Sequence, residues 1–136
     1  MLNDRTIDRY LHAILLLGTR FLVVRAVDVA SWLEYSKASV SVAVKQMLDE
    51  RLVSIGNHGA LLLTADGERR ASAFHERYEF FNRMFTEAGI DEDVARKEAG
   101  ALAGCLSNPS LCAIKRRLAL RESGGGQGAR EKPSFQ

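Results

Sequence analysis

The chain has little of what small secreted or membrane proteins depend on. Only two cysteines and two prolines occur in 136 residues, so we expect no disulfide framework. The longest purely apolar run covers residues 13–17, whereas a membrane-spanning helix needs about 20 apolar residues. The opening segment MLNDRTIDRY is charged and lacks the apolar core of a signal peptide. These absences predict a cytoplasmic protein that has no membrane partner.

Signatures of the common enzyme classes are also missing. The sequence has no glycine-rich phosphate loop, no metal-protease spacing of histidines and no recognisable nucleophile set. We therefore expect that the protein is not an enzyme, and the sequence identifies no small-molecule substrate. The net charge of +2 is close to neutral. This balance does not indicate whether the protein binds nucleic acid, because a DNA-binding protein concentrates positive charge on one face.

The most informative stretch begins with two predicted helices. Apolar spacing predicts a short helix over 26–33, and Ser36 offers a hydroxyl cap to a second helix that extends to about Glu50. The apolar segments 52–55 and 60–63 are predicted strands, joined by a Gly-Asn-His-Gly turn whose residues tolerate positive φ. Helix, turn, helix and two-stranded wing form a winged helix-turn-helix, which places its second helix in the major groove of DNA.

Further helices are predicted on both sides of this motif from capping residues and apolar periodicity. Their predicted ranges are 7–17, 65–88, 92–106 and 109–120, with Thr6, Thr64, Asp91 and Asn108 as caps. The predicted fold class is therefore mainly α: a winged helix-turn-helix DNA-binding domain followed by an α-helical dimerisation domain. We expect the DNA-binding domain at 1–70, the dimerisation domain at 71–120 and a disordered tail at 121–136.

An aromatic stripe marks the longest predicted helix. Phe74, Tyr78, Phe81 and Phe85 alternate in steps of three and four residues, which is typical of a seam against another helix. Such a stripe is too large for one small domain to leave exposed. It therefore predicts a homodimer.

A set of polar and basic residues in the motif supplies candidates for contacts with double-stranded DNA. They are Arg25, Ser36, Lys37, Ser39, Ser41, Lys45, Asn57 and His58. On the second helix of the motif, Val40, Val44, Met47 and Leu48 fall at helical spacing and should face the core, which leaves the serines and lysines outward. Its serines lie near the helix N-terminus, where the helix dipole favours a phosphate. The asparagine and histidine would lie at the wing tip, and the arginine could hold backbone phosphate.

Several segments of the chain match the pattern of one known family. TIDRYLHAI is similar to its opening helix, and VRAVDVASWLEYSKASV to its helix-turn-helix, with Ala38 where a proline is usual. LLLTADGERR is similar to its Thr-x-x-Gly entry into the dimer helix, and HERYEFFNRMFTEAGI and EAGALAGCLSNPSLCAIKRRL to its dimerisation helices. Over residues 6–118 the chain thus resembles the diphtheria-toxin-repressor family of metal-dependent regulators, in particular its short manganese-regulator-like members. The resemblance implies a homodimer that binds a palindromic operator and represses or otherwise regulates transcription.

The same resemblance locates a divalent-metal site between the first, fourth and fifth helices of the family. Mapped one by one, the ligand positions fall on Arg9, His12, Tyr78, Gly100, Ala103 and Gly104. Only His12 could still coordinate a metal, and a divalent ion needs several ligands with defined geometry. The departure implies that metal sensing at this site is lost, so we expect no cofactor.

Alternatives remain open for this region and for the function. A rearranged divalent-metal site could form from residues on three helices: His12, His75, Glu79 and Glu98. Instead, Arg9 could pair with Glu79 or Glu98 and join the helices that the metal would have joined, or it could be a solvated surface charge. The alternative function is a winged-helix protein-interaction or dimerisation module that has lost DNA binding.

Overall fold

The structure, a computed structural model, describes the backbone of residues 1–124 and side chains through Arg121. Within this part of the chain, six α-helices and a two-stranded sheet follow one another. They are α1 (Asp4–Leu17), α2 (Ala26–Leu33), α3 (Lys37–Asp49), β1 (Val53–Ile55), β2 (Leu61–Leu63), α4 (Ala65–Glu87), α5 (Glu92–Cys105) and α6 (Asn108–Gly124). The predicted mainly α fold with a winged helix-turn-helix is confirmed. No helix of the described residues is long and apolar enough to cross a membrane.

Side-chain caps fix where most of these helices begin. Ser36 accepts a hydrogen bond from the Ser39 backbone N–H at 3.0 Å, and Thr64 accepts one from Gly67 at 3.1 Å, as the sequence predicts. The cap of α1 was predicted wrongly. It is Asn3, whose side chain accepts from the Thr6 N–H at 2.8 Å, so the helix starts one turn earlier because this amide reaches an orphan donor.

The start of α6 and its end also differ from the prediction. The Ser107 hydroxyl accepts from the Ser110 backbone N–H at 3.2 Å, so Ser107 rather than Asn108 provides the cap. The helix continues to Gly124, and the predicted tail at 121–136 is therefore helical in its first four residues. The remainder of that predicted tail lies outside the described residues.

The wing is short and is tied to the helix-turn-helix by the backbone. Strands β1 and β2 pair antiparallel with Val53 opposite Leu63. The Leu61 N–H donates to the carbonyl of Val24 at 2.7 Å, so the segment that leads into α2 lies beside β2. At the tip, His58 has φ 60° and Gly59 has φ 75°, in agreement with the predicted tolerance for positive φ.

Helix α1 lies at the centre of the core. Ile7 and Leu11 are fully buried and belong to one apolar cluster with Val29 of α2 and Met47 of α3. Helix α1 also packs along α4, which packs in turn along α5. The core therefore holds the helix-turn-helix in a fixed position on α1.

The aromatic stripe of α4 is mostly covered by the chain itself. Phe74, Tyr78 and Phe81 are exposed by only 3%, 7% and 3%, and Phe85 is half-buried. The rings of Phe74 and Tyr78 lie 5.1 and 4.8 Å from the ring of His12 in α1. The expectation that this stripe needs a second copy to cover it is wrong for these three residues, because α1 and α5 pack against α4.

The chain divides into two compact units, Met1–Cys105 and a second unit that begins at Leu106. The first unit contains the winged helix-turn-helix together with α4 and α5. The second is described through α6, in which Ile114 and Leu120 expose 36% and 65% of their surface. The functional division predicted at residue 70 stays a prediction.

Candidate nucleic-acid interface and metal position

The outer face of α3 carries the predicted DNA-contacting residues. Val40, Ala43 and Met47 are buried against the core. The predicted polar set on this helix and at its cap is exposed: Ser36, Lys37, Ser39, Ser41 and Lys45. The sequence also placed Leu48 in the core, but 37% of this residue is exposed. The helix therefore presents hydroxyl and ammonium groups on the side that faces away from the protein.

Two serines at the start of α3 form a local hydrogen-bond pair. The Ser36 hydroxyl donates to the Ser39 hydroxyl oxygen at 3.0 Å, while it accepts from the Ser39 backbone N–H. The Ser39 hydroxyl thus receives a hydrogen bond and keeps its own proton free to donate outward. Its position in the first turn of α3 suits an acceptor such as a base edge or a phosphate oxygen.

An apolar residue that the sequence reasoning missed lies on the same face. Val42 exposes 58% of its surface between Ser41 and Lys45 on the outer side of α3. A methyl-bearing side chain there could contact the C5-methyl group of thymine. The signal was available in the sequence, because a valine that departs from the buried 40–43–47 spacing should point to solvent.

Arg25 is brought to the wing, a proximity that the sequence did not indicate. A methyl group added at Gly59 would lie 3.9 Å from the Cδ atom of Arg25. The Arg25 backbone N–H donates to the carboxylate of Asp28 at 2.9 Å, which fixes the start of α2. Arg25, Asn57 and His58 are all exposed, so one cationic and two polar side chains share the wing end of the motif.

Arginine side chains gather where the resemblance places the metal. The guanidinium of Arg9 covers Gly100, where an added methyl group would lie 3.4 Å from Nη2. Arg5 donates to the carbonyl of Gly104 at 3.2 Å, and Arg77 donates to the carbonyl of Ala103 at 2.9 Å. These cations surround the α5 positions that correspond to family ligands.

Of the two alternatives for Arg9, the pairing with Glu79 or Glu98 is not found among the described residues. Its guanidinium instead donates to the hydroxyl of Tyr35 at 3.3 Å, and no ion pair of Arg9 occurs within the described residues. Glu79 faces His75 at 3.4 Å and Arg83 at 3.9 Å, and Glu98 is exposed. The half-buried Arg9 charge therefore has a hydroxyl, and no carboxylate, as its partner in the described part of the chain.

Two histidines connect α1 to α4. Nε2 of His12 lies 2.9 Å from Nδ1 of His75, so one ring nitrogen donates and the other accepts. Burial first, then the neighbouring His75 and Arg9, lower the pKa of His12 from 6.5 to about 3. His12 is consequently neutral at physiological pH and serves as a packing and hydrogen-bonding group.

The described residues do not fit a divalent metal. No group of three or more His, Cys, Asp or Glu side chains among them could hold such an ion. The rearranged set of His12, His75, Glu79 and Glu98 therefore does not form such a group either. Tyr78 has its pKa raised by burial and is protonated at neutral pH. The nearby guanidinium groups would also repel a cation.

Comparisons with known proteins agree with this architecture. No family model matches the chain. The transcriptional regulator MntR of Escherichia coli O6:H1 and that of Escherichia coli O157:H7 are each 27% identical over 91 residues, which is 67% of this chain and 59% of the relative. The chain therefore spans about three fifths of the length of the curated relatives it matches.

Solved structures share the fold. A manganese-dependent transcriptional repressor in complex with manganese matches with a TM-score of 0.69 and 24% identity, over 83% of this chain and 52% of that one. The manganese regulator SloR matches with a TM-score of 0.67 and 23% identity, over 88% and 55%. ScaR with bound Zn²⁺ matches with a TM-score of 0.60 and 20% identity, over 83% and 53%. The resemblance predicted from the sequence is confirmed.

Proposed function

We propose that this chain, which resembles the diphtheria-toxin-repressor family in sequence and fold, is a non-enzymatic, DNA-binding transcriptional regulator. The observation that carries the proposal is the outer face of α3, where Lys37, Lys45 and the capping serines are exposed beside a wing that holds Arg25. The relatives with this architecture are named as transcriptional regulators. Together these features support insertion of α3 into a major groove.

The proposed contacts divide into two kinds. Lys45 and Arg25 hold phosphates, because long flexible cations at the two ends of the motif bind backbone oxygens without reading sequence. Ser39 and Val42 read base edges, since short side chains on the outer face of a recognition helix approach the bases closely. Asn57 and His58 lie at the wing tip and contact the neighbouring backbone or minor groove.

We propose that DNA binding occurs without metal at the family position. In the metal-dependent relatives an ion can favour one conformation only through different affinities for the two states. Here Arg9 lies over Gly100, and Arg5 and Arg77 bind the last carbonyls of α5. Direct contacts between α1, α4 and α5 thus perform the bridging that an ion would perform.

We also propose that the protein acts as a homodimer on a palindromic operator. This proposal rests on the family resemblance and on apolar side chains that α6 leaves exposed, Ile114 and Leu120. Two recognition helices in a dimer would then lie about one DNA turn, roughly 34 Å, apart.

The second candidate is a winged-helix module that binds protein instead of DNA. The near-neutral charge of +2 and the exposed apolar residues Val27 and Val42, at 53% and 58%, favour it. Because Val42 lies on the outer face of α3, the same surface serves either function. The two candidates differ in how their binding depends on salt.

The test begins with operator selection on random DNA and continues with single variants. Lys45→Ala and Arg25→Ala should each weaken binding to all sequences and reduce the slope of log K against log salt by about 1 per lost phosphate contact. Ser39→Ala should change preference at one base position by about 1–3 kcal/mol. Arg83→Ala is the matched control, because Arg83 is a well-exposed cation on α4 away from the motif.

The outcomes separate the two candidates. A salt-dependent, sequence-selective affinity that falls in the Lys45 and Arg25 variants but not in the Arg83 variant supports the regulator. Failure to select any DNA sequence, with equal residual binding in all variants, would support the protein-interaction module.

A further inference from the structure

A small cavity lies where α1, α2, α4 and α5 meet. Its volume is about 160 Å³, close to that of an engineered apolar cavity of about 150 Å³ that binds benzene. Its walls come from these four helices and from the turn after α2. All of these elements belong to the unit Met1–Cys105.

The cavity has more positive than negative charge in its lining. Arg9, Arg96 and Lys97 line it together with one carboxylate, that of Glu34. Glu34 is already engaged, because its Oε2 lies 2.8 Å from Nζ of Lys97. Lining residue His12 is neutral, since burial lowers its pKa to about 3. Two guanidinium groups thus remain to attract an anion.

Those two guanidinium groups are poorly neutralised. Arg9 is half-buried, and within the described residues its guanidinium donates a hydrogen bond only to the hydroxyl of Tyr35. Arg96 is 3.6 Å from Asp93, but the Asp93 side chain is 79% exposed, so solvent weakens that pair. A partly buried guanidinium without a carboxylate has an uncompensated desolvation cost. A carboxylate in the cavity would supply the missing acceptor with paired N–H···O bonds.

Aromatic and apolar groups form the rest of the wall. The guanidinium of Arg96 stacks on the ring of Trp32 at 4.3 Å from the centroid, and Ala13 and Leu16 add apolar surface. Tyr78, protonated because burial raises its pKa, offers a hydroxyl donor. A bare phosphate would leave the apolar wall without a partner, whereas an organic acid would cover it.

We propose that this cavity is a binding site for a small organic carboxylate with a compact apolar body. The carboxylate binds between Arg9 and Arg96, and the apolar body lies against Trp32. The ligand would touch the helix-turn-helix through α2 and the long helices through α4 and α5. The site does not depend on DNA binding, and its test uses protein without DNA.

Benzoate is a suitable probe, and the protein supplies its own reporter. Trp32 is the single tryptophan of the chain and lines the cavity, so its fluorescence should change saturably as benzoate binds, with calorimetry as a second measurement. Benzyl alcohol, of similar shape without the charge, should bind at least about tenfold more weakly, because it cannot form charge-assisted hydrogen bonds. Inorganic phosphate should bind to the cavity more weakly than benzoate does.

Variants locate the site. Arg9→Gln and Arg96→Gln should each weaken benzoate binding about tenfold or more, whereas Arg83→Gln, the matched loss of an exposed guanidinium outside the cavity, should bind like the wild type. If circular dichroism shows that one arginine variant is misfolded, the other variant and the comparison of benzoate with benzyl alcohol still test the site.

Three results would overturn the proposal. The first is the absence of a saturable response up to about 10 mM benzoate, where any binding would be very weak. The second is equal affinity for benzoate and benzyl alcohol. The third is tighter binding of phosphate than of benzoate.

Discussion

Gly67 is the position at which one methyl group should damage the fold most clearly. A Cβ atom at residue 67 would lie 2.0 Å from the carbonyl oxygen of Leu52 and 3.0 Å from its carbonyl carbon. The same carbonyl accepts the backbone N–H of Thr64 at 3.0 Å. Gly67→Ala therefore requires Leu52, at the entry to β1, and the start of α4 to separate.

The magnitude follows from the contacts that must be lost. Overpacking of a tight site costs about 1–3 kcal/mol, and loss of the Thr64–Leu52 hydrogen bond adds about 1 kcal/mol. Alanine regains up to about 1 kcal/mol through its higher helix propensity. We expect a net destabilisation of about 2 kcal/mol, which lowers the melting temperature of a domain of this size by roughly 8 °C.

Thermal and urea unfolding measure the effect, and Gly18→Ala is the matched control. Gly18 has φ −64°, and an added methyl group would meet only carbonyl oxygens of its own helix at 3.4 Å. That variant should stay within about 1 kcal/mol of the wild type. Equal stability of the two variants would show that the carbonyl of Leu52 does not exclude a Cβ atom at residue 67.

Three further predictions concern the metal, the assembly and pH. Operator affinity should not change with chelator or added manganese, and a saturable manganese site with a bound ion per chain would contradict this. Light scattering at micromolar concentration should give the mass of a dimer of the 15.0 kDa chain, and a monomer would exclude the proposed assembly. His12 has a folded pKa of about 3 against 6.5, so only the unfolded chain binds its proton between these values. Above pH 6.5 His12 therefore does not reduce the free energy of unfolding. As the pH falls from 7 to 5, protonation of His12 in the unfolded chain lowers this free energy by about 2 kcal/mol. His12→Gln should flatten that difference in urea unfolding, and an unchanged pH dependence would show that other groups cause it.

The parts of the fold that were predictable from sequence are those decided locally. Ser36 and Thr64 cap their helices because a hydroxyl and an orphan N–H lie within one turn of each other. The wing followed from apolar segments around residues that accept positive φ. Asn3 was missed because both Asn3 and Thr6 are of cap-forming types, and the geometry of the first turn decides between them.

The candidate site was predictable as a set of residues but not as an arrangement. Exposure of Lys45 and Ser39 followed from helical periodicity. The meeting of Arg25 with the wing depends on the backbone hydrogen bond between Val24 and Leu61, which no local pattern indicates. The aromatic stripe shows the same limit, because periodicity identifies an apolar face without identifying whether another helix of the same chain covers it.

The placement of Arg9 over Gly100 makes the effects of substitutions at the two positions depend on each other. A methyl group at residue 100 would already be in contact with the guanidinium at 3.4 Å, and a longer side chain there would need the space that Arg9 fills. A longer side chain at position 100 therefore requires the Arg9 guanidinium to move or position 9 to carry a smaller residue. A ligand-bearing side chain at position 100 and the present placement of the Arg9 guanidinium would therefore compete for the same space.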